Sequence, residues 1–567
     1  MSLPSKGDVD SATVKAAAGP HPAALAVGSG LLLWASFPPA DWGWLAWGAL
    51  VPLFLLVDSR RSARSVYFGS WLGGMAFWTL AVQWVRLTDD SAWLAWLAMA
   101  LALSFFWPAF LALTRVGTRR LGLPLMIAAP IVWVALEYVR AYVVTGFPWY
   151  YLAHSQHDAL PLIQIADLTG SLGVSFVIAV VNAWLADVLT LPLLGPSLSG
   201  PRLTSRQTLR LGVVAAMLAL TLGYGAFRLR TASFRDGPRI ALLQSSLGQR
   251  LKSGIKQEAI LAVYEALVER ARCATPPPDL IVWPETSYPY QFATIDPGLT
   301  PADLDRQAKK ISDTFTAQFW RTRADRIAAH LGEWTDRLGV PMLVGVTNYD
   351  HRPAGMSKYN AAMLFAPGSK TPQSYSKSHL VPFGEYVPLI GTFPWLIRLT
   401  PFHGDYVPTL DFGAGPEWLD LGPYRIATAI CFEDTVPQVV RRFFSEAPGG
   451  RKPDVLLNLS NDGWFKDSSE HEMHLVVSIF RAVEHRVPLA RAANTGVSAI
   501  VDGNGRVLHS LAKLKEGVVS GVVPLDGRRT LYTAFGDWLG QSCLAVTIGL
   551  IPLSIFWKLS VRRRLAV

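Results

Sequence analysis

From His21 to about Phe227 the chain is a series of long apolar runs broken by short polar loops. A hydrocarbon core about 30 Å thick needs about 20 apolar residues in helix. The pattern therefore predicts membrane helices over residues 22–38, 42–57, 65–85, 92–113, 123–144, 170–191 and 211–227, and an eighth over 538–557, of which the first, second and seventh are short. Between about Thr231 and Thr530 the polarity becomes ordinary. There, short aliphatic or β-branched runs (239–244, 280–283, 342–347, 361–365, 425–430, 455–459, 498–501) alternate with longer amphipathic stretches at 258–271, 316–338 and 471–485, which argues α/β architecture. Gly/Pro-rich interruptions at 296–301 and 352–355 are expected to be surface loops.

Composition and charge extend this picture. Charged residues are 17% of the chain, hydrophobic residues 51%, and mean hydropathy is +0.27, which excludes a wholly soluble protein. The net charge of +10 says less about partners than the placement of the cations does. Lys6 and Lys15, then Arg60, Arg61 and Arg64, then Arg115, Arg119 and Arg120, then Arg202, Arg206 and Arg210, and finally Lys558, Arg562, Arg563 and Arg564 fall in alternate loops, and so on one side, of an eight-span reading. The positive-inside rule then places both termini in the cytoplasm and residues 231–530 on the outer face. The first run ends in Phe37-Pro38-Pro39 without a clear small-x-small cleavage site, so it reads as a retained span. The expected organisation is a cytoplasmic tail over 1–20, a seven-helix membrane domain over 21–230, an outer catalytic domain over 231–530, and a last span with a basic tail over 531–567.

Three strand ends carry chemistry. The run Leu280-Ile281-Val282-Trp283 enters Pro284-Glu285-Thr286, leaving a carboxylate at the carboxyl end of a strand, where α/β folds build their sites. The run 425–430 enters Cys431-Phe432-Glu433-Asp434 with a helix expected from Thr435, so the thiol sits near helix amides that favour a thiolate. The third stretch runs from Tyr375 to Pro388 and holds one lysine, Lys377, in a Pro/Gly-shaped loop. Singly, each has an ordinary explanation: a solvated cap, a small buried hydrophobe, an exposed loop cation. The other two cysteines, Cys273 and Cys543, lie far away in sequence, and the three together support neither a disulfide framework nor a zinc site.

In this order, Glu285, Lys377 and Cys431 resemble the Glu-Lys-Cys triad of the nitrilase superfamily, whose αββα sandwich also accounts for the alternating strands and helices. With the membrane helices added, the chain resembles the apolipoprotein N-acyltransferase family over nearly its whole length. The resemblance is carried by Thr145-Gly146-Phe147-Pro148-Trp149, Trp283-Pro284-Glu285-Thr286, Lys377-Ser378-His379-Leu380-Val381-Pro382-Phe383-Gly384-Glu385, Cys431-Phe432-Glu433, the stretch from Asn458 to Phe465, and Asn494-Thr495-Gly496-Val497. It departs at Phe432, where the family often has Tyr, and around 244–252, where some members have a tryptophan.

The resemblance implies a bacterial inner-membrane enzyme, multi-pass, with a periplasmic catalytic domain. Its reaction would be ping-pong: an acyl chain passes from a phospholipid to Cys431 as a thioester, then to the amine of a diacylglyceryl apolipoprotein, the last step of lipoprotein maturation. Glu285 would act as general base and Lys377 would offset the oxyanion. Glu385 and Glu433 would be supporting carboxylates that hold the lysine or the second amine, Asn360 a residue near the site, and Trp149, Phe393, Trp395, Phe432 and Trp464 would contact substrate. No cofactor, metal or nucleic acid is expected. The loop at 386–403 carries Leu389, Ile390, Phe393, Trp395, Leu396, Ile397 and Leu399, which suits a flap over acyl chains. Glu137 and Arg140, three apart in the fifth span, read either as functional intramembrane charges or as a pair near its outer end. Two other functions compete: a membrane-tethered nitrilase-type amidase acting on a small C–N substrate, and a transporter whose outer domain only binds. Acyl-thioester trapping on Cys431 from phospholipid separates all three.

Overall fold

The computed structural model describes residues 21–190, 194–195, 202–203, 205–248, 256–369, 371–399 and 409–565. The expected tail over 1–20, with Lys6 and Lys15, and residues 400–403 of the apolar loop lie outside the described residues.

The apolar runs are helices, and four of them are long and apolar enough to cross a membrane: Trp93–Arg120, Ser171–Thr190, Ser205–Arg230 and Trp538–Lys558. Helices Pro22–Ala35, Ala63–Ala81 and Leu125–Arg140 pack among them. Helix Pro22–Ala35 lies so close to Ala63–Ala81 that a Cβ on Gly73 would strike the Ala26 backbone, the small-residue contact that lets apolar helices approach in lipid. Two expectations are revised. The second run is not one helix but two short pieces, Ala46–Ala49 and Val51–Leu55, because Pro52 interrupts the backbone ladder. Asn182 of helix Ser171–Thr190 repairs the gap: its Oδ1 accepts from Leu50 N at 2.9 Å and its Nδ2 donates to Ala46 O at 2.9 Å. The seventh run, expected to be short, is a 26-residue helix, since its Arg-bearing ends remain helical.

The polar half contains two sheets. Its strands are β1 (Phe234–Gln244), β2 (Leu280–Val282), β3 (Phe292–Ile295), β4 (Met342–Arg352), β5 (Gly355–Phe365), β6 (Gln373–Ser376), β7 (Trp418–Leu421), β8 (Tyr424–Ile430), β9 (Val455–Ser460), β10 (Leu489–Ala493), β11 (Ser498–Val501), β12 (Val507–Leu511) and β13 (Gly517–Asp526). One sheet has the order β13-β1-β2-β4-β5-β6, with β3 also on β4, and the other the order β12-β11-β10-β9-β8-β7. Strand side chains alternate between faces, and the burial follows. Ile240, Leu242, Leu280, Val282, Leu343 and Leu364 join Ile426, Leu457 and Ile500 of the other sheet in one core. Their neighbours Ala241, Leu243, Ile281, Val344 and Met363 pack with Tyr264, Leu267, Leu331 and Trp334 of helices Gln257–Arg272 and Ala317–Leu338. The layering is the αββα sandwich expected from the resemblance.

Helix Glu470–His485 differs from its amphipathic reading, being buried on nearly every side. It lies between the second sheet and the membrane helices, so its polar residues need partners. Ser171 N and Oγ donate to Glu484 Oε1 at 2.9 and 2.6 Å, Arg481 Nη2 donates to the same oxygen at 3.0 Å, and Arg486, just past the helix, donates to Asp167 Oδ2 at 2.7 Å. Gln164 Nε2 and Trp538 Nε1 add bonds to Asn504 O and Leu168 O.

Candidate functional site

The three strand ends converge as their sequences suggest. After β2, Pro284 ends the ladder, and the chain turns over β4 so closely that a Cβ on Gly345 would collide with Pro284 O. Ser287 N and Tyr288 N donate to Gly345 O at 3.0 and 3.1 Å, which fixes the turn carrying Glu285. Lys377 directly follows β6, with its N donating to Asn360 O at 2.8 Å and its O accepting from Gly413 N at 2.8 Å. Its ammonium, 1% exposed, lies 3.3 Å from Glu285 Oε1 and 2.9 Å from Glu385 Oε1. Asn360 Nδ2 donates to the same two oxygens at 2.6 and 3.0 Å, and Asn461 N donates to Glu285 Oε2 at 2.8 Å. Glu385 Oε2 accepts from Val381 N at 2.8 Å, which holds its own loop.

Cys431 follows β8 at φ 52°, a left-handed backbone that a non-glycine residue adopts at a cost of about 1–2 kcal/mol. Such strain persists where surrounding bonds over-determine it. Glu433, two residues on in the short turn Cys431–Thr435, supplies them. Its Oε2 accepts from Ile430 N at 2.7 Å, while Oε1 accepts from Tyr375 Oη at 2.7 Å, Ser378 N at 2.8 Å and His379 N at 2.9 Å. Glu433 was expected to hold the lysine or the second amine. It instead ties the Cys431 turn to the Lys377 loop through their backbones. Asn458 Nδ2 donates to Cys431 O at 3.2 Å, and Arg491 holds Asn458 Oδ1 at 2.5 Å.

Burial and then Glu285 push the Cys431 thiol well above its ordinary range, outweighing Lys377. The turn amides expected to favour a thiolate are thus opposed by burial first and by the Glu285 carboxylate second, neither of which a local reading of the turn contains. Burial opposes the charge on Lys377, but Glu385 and then Glu285 raise its pKa well above the ordinary value, so it stays an ammonium. Burial also raises the Glu433 carboxyl, against the hydrogen bonds it receives. The arrangement joins a protonated thiol, an acceptor carboxylate and a fixed cation.

The remaining expected residues divide. Phe432 is half-buried and stacks on His379 at 5.8 Å. Trp464 is half-buried on the turn Asp462–Phe465. Trp149 is buried, packed on Trp84, Phe147 and His474, and so forms a wall inside the protein rather than an open surface. Phe393 and Trp395 are 45% and 56% exposed, with Leu389 beside them also exposed. Glu137 and Arg140 are structural: Glu137 Oε1 accepts from Trp133 Nε1 and Leu152 N, and Arg140 donates to the carbonyls of Phe147, Trp149 and Tyr150, shaping the loop after its helix. Cys273 is exposed at a helix end and Cys543 is buried in the last helix. Sequence reasoning assigned no role to the Asn461 amide, Asn458, Tyr375 or Arg491; the Asn458–Phe465 motif was the available signal for two of them.

Residues 29–184 match the family profile described as "Apolipoprotein N-acyltransferase N-terminal domain", and residues 239–532 match "Carbon-nitrogen hydrolase". An apolipoprotein N-acyltransferase of Geobacter metallireducens is 34% identical over 530 residues, covering 92% of this chain and 93% of its own. Proteins of the same name from Rhodopirellula baltica and Azotobacter vinelandii are 29% and 31% identical, covering 94% and 95% of this chain and 97% and 95% of theirs.

Proposed function

This chain belongs to the apolipoprotein N-acyltransferase family, an enzyme of lipoprotein maturation built on the carbon-nitrogen hydrolase fold, and from that premise we propose that Glu285, Lys377 and Cys431 carry a two-step acyl transfer from phospholipid to lipoprotein. Glu285 takes the Cys431 proton as the sulfur attacks the ester carbonyl of the phospholipid. The Lys377 ammonium offsets the oxyanion of the tetrahedral intermediate, and Glu285 returns the proton to the departing lysophospholipid oxygen. The thioester is then attacked by the α-amine of the diacylglyceryl-cysteine; Glu285 takes the amine proton and the thiol is regenerated. Glu385 and Asn360 keep the lysine and the base in register.

The single observation that supports this most is the shared Glu285 Oε1, which meets Lys377 Nζ at 3.3 Å and Asn360 Nδ2 at 2.6 Å while Oε2 is fixed by a backbone amide. The base is thereby oriented inside a buried contact with the Lys377 ammonium, its second oxygen held by a backbone amide. The distribution of Lys and Arg supports a periplasmic site and cytoplasmic termini in the inner membrane of a bacterium, and the exposed aromatics of 389–395 support a lipid-facing flap. The homologues do not favour the amidase alternative. The test is incubation of the purified protein with acyl-labelled phospholipid. Hydroxylamine-sensitive label on wild type and none on Cys431→Ala is the expected result, and equal labelling of the two removes Cys431 from the mechanism.

A further inference from the structure

Beneath Cys431 lies a second cluster that the reaction above does not use. Asp462 on the turn Asp462–Phe465 and Glu470, His471 and His474 at the start of helix Glu470–His485 converge, all four fully buried. His474 Nδ1 is 3.3 Å from Glu470 Oε1 and 3.3 Å from Asp462 Oδ1. His471 Nδ1 is 3.6 Å from Glu470 Oε2 and 3.9 Å from Asp462 Oδ2. Charge-assisted N–H···O bonds close to about 2.7–2.9 Å. Here the atoms stop short of that, and His471 Nδ1, His474 Nδ1 and Glu470 Oε2 have no hydrogen-bond partner among the described residues. The shorter separations instead match the edge, about 3.3 Å, of a tetrahedron with the bond lengths of about 2.0–2.1 Å found in zinc sites.

The outward ring nitrogens are already engaged. His474 Nε2 meets Asp434 Oδ1 at 3.0 Å, and His471 Nε2 meets Lys466 O. A carboxylate or carbonyl on one nitrogen is what orients a histidine to offer the other to a metal. Charge is compatible with the same filling. Asp434, Asp462 and Glu470 are three buried carboxylates, and Arg491 is the permanent cation against them, 2.8 Å from Asp462 and 3.6 Å from Asp434. With neutral rings two negative charges remain, which one divalent cation cancels. Protonation of both rings would cancel the same charge, so the experiment must separate the two fillings.

We propose that Asp462, Glu470 and His474, with His471 beside them, form a buried site for a divalent metal ion of zinc-type chemistry. The ion would join the turn behind Cys431, through Asp434, to the loop that presents the Asn461 amide to Glu285, and so brace both sides of the active centre from below.

The test uses the full-length detergent-purified protein, exposed to zinc and then dialysed against metal-free buffer. Elemental analysis is expected to find about one zinc per chain, and cobalt loading to give the visible ligand-field bands of a tetrahedral site. Glu470→Gln, and separately His471→Asn, should lower retained zinc by at least about tenfold, while Cys431→Ala, which removes the thiol as a competing ligand, should retain it. A cooperative thermal unfolding transition in the same detergent reports that each variant is folded. Retained zinc far below one per chain in folded wild type, or equal zinc in wild type and Glu470→Gln, overturns the site and assigns the cluster to protonated histidines.

Discussion

Replacing Glu433 with Gln separates a bracing role from a structural one. The carboxylate receives Ile430 N–H on one oxygen and the Ser378 and His379 amides with the Tyr375 hydroxyl on the other. Glutamine keeps a single acceptor oxygen. Its best orientation serves the side with four donors, Ser378 Oγ included, and turns an NH2 group against the N–H of Ile430, the residue before Cys431. One buried donor left unsatisfied costs about 1–3 kcal/mol. Since that donor belongs to the strained turn, the loss should fall on the Cys431 geometry rather than on the remote core. At 1.4 kcal/mol per factor of ten, thioester formation should slow by about 5- to 150-fold. Single-turnover acylation from labelled phospholipid measures it, with thermal unfolding recorded on the same preparation. A variant that acylates within about twofold of wild type, or one whose loss matches its unfolded fraction, would refute the reasoning.

Cys431→Ser should fail to accumulate labelled acyl-enzyme, since a hydroxyl is a far weaker nucleophile than a thiol at this site; labelling comparable to wild type would contradict it. Serine at both Cys273 and Cys543 should leave turnover within a few-fold, and a loss comparable to that of Cys431→Ser would mean a second thiol step. Polar replacements of Phe393 and Trp395 should slow transfer from phospholipid by removing apolar contact worth roughly 1.5–3 kcal/mol per aromatic, while soluble-reagent labelling of Cys431 stays nearly unchanged; a parallel fall in both rates would place the loop in the domain core. Lys452 donates to the carbonyls of Arg486, Asp526 and Arg528, and burial lowers its pKa from 10.5 to about 8. Between those values the unfolded chain binds one more proton, so stability should rise with pH from about 8 to 10.5, and Lys452→Met should remove that slope from a Tm-against-pH series.

The strand core was legible because runs such as 239–244 and 425–430 are apolar on both faces, as a strand buried between a second sheet and a helix layer must be. Six strands escaped, among them β3, and four did so for the opposite reason. Residues 373–376 and 418–421 are short and half polar, 507–511 is exposed, and 517–526 carries two glycines and a proline. Strand Leu489–Ala493 was hidden by Arg491, whose charge reads as surface in one dimension and is buried against two aspartates in three. The triad positions were readable because each follows a recognisable strand end. The state of the thiol was not, because it depends on burial and on Glu285, about 150 residues away in sequence. Asn461 lies in the Asn458–Phe465 motif, but its contact with Glu285 is made by a backbone amide, which no side chain announces.

The near-complete burial of helix Glu470–His485 has an evolutionary consequence. In a free-standing hydrolase the outer side of that helix would be washed by solvent and able to drift in sequence. Here it is an internal wall shared with Ser171, Asp167 and the helices around them. The two halves are therefore joined by buried polar contacts as well as by the chain. Cutting the chain near residue 230 would expose an apolar, charge-studded face instead of releasing a soluble enzyme, and a chimera between distant relatives would have to carry residues 164–171 together with 470–486 to remain one protein.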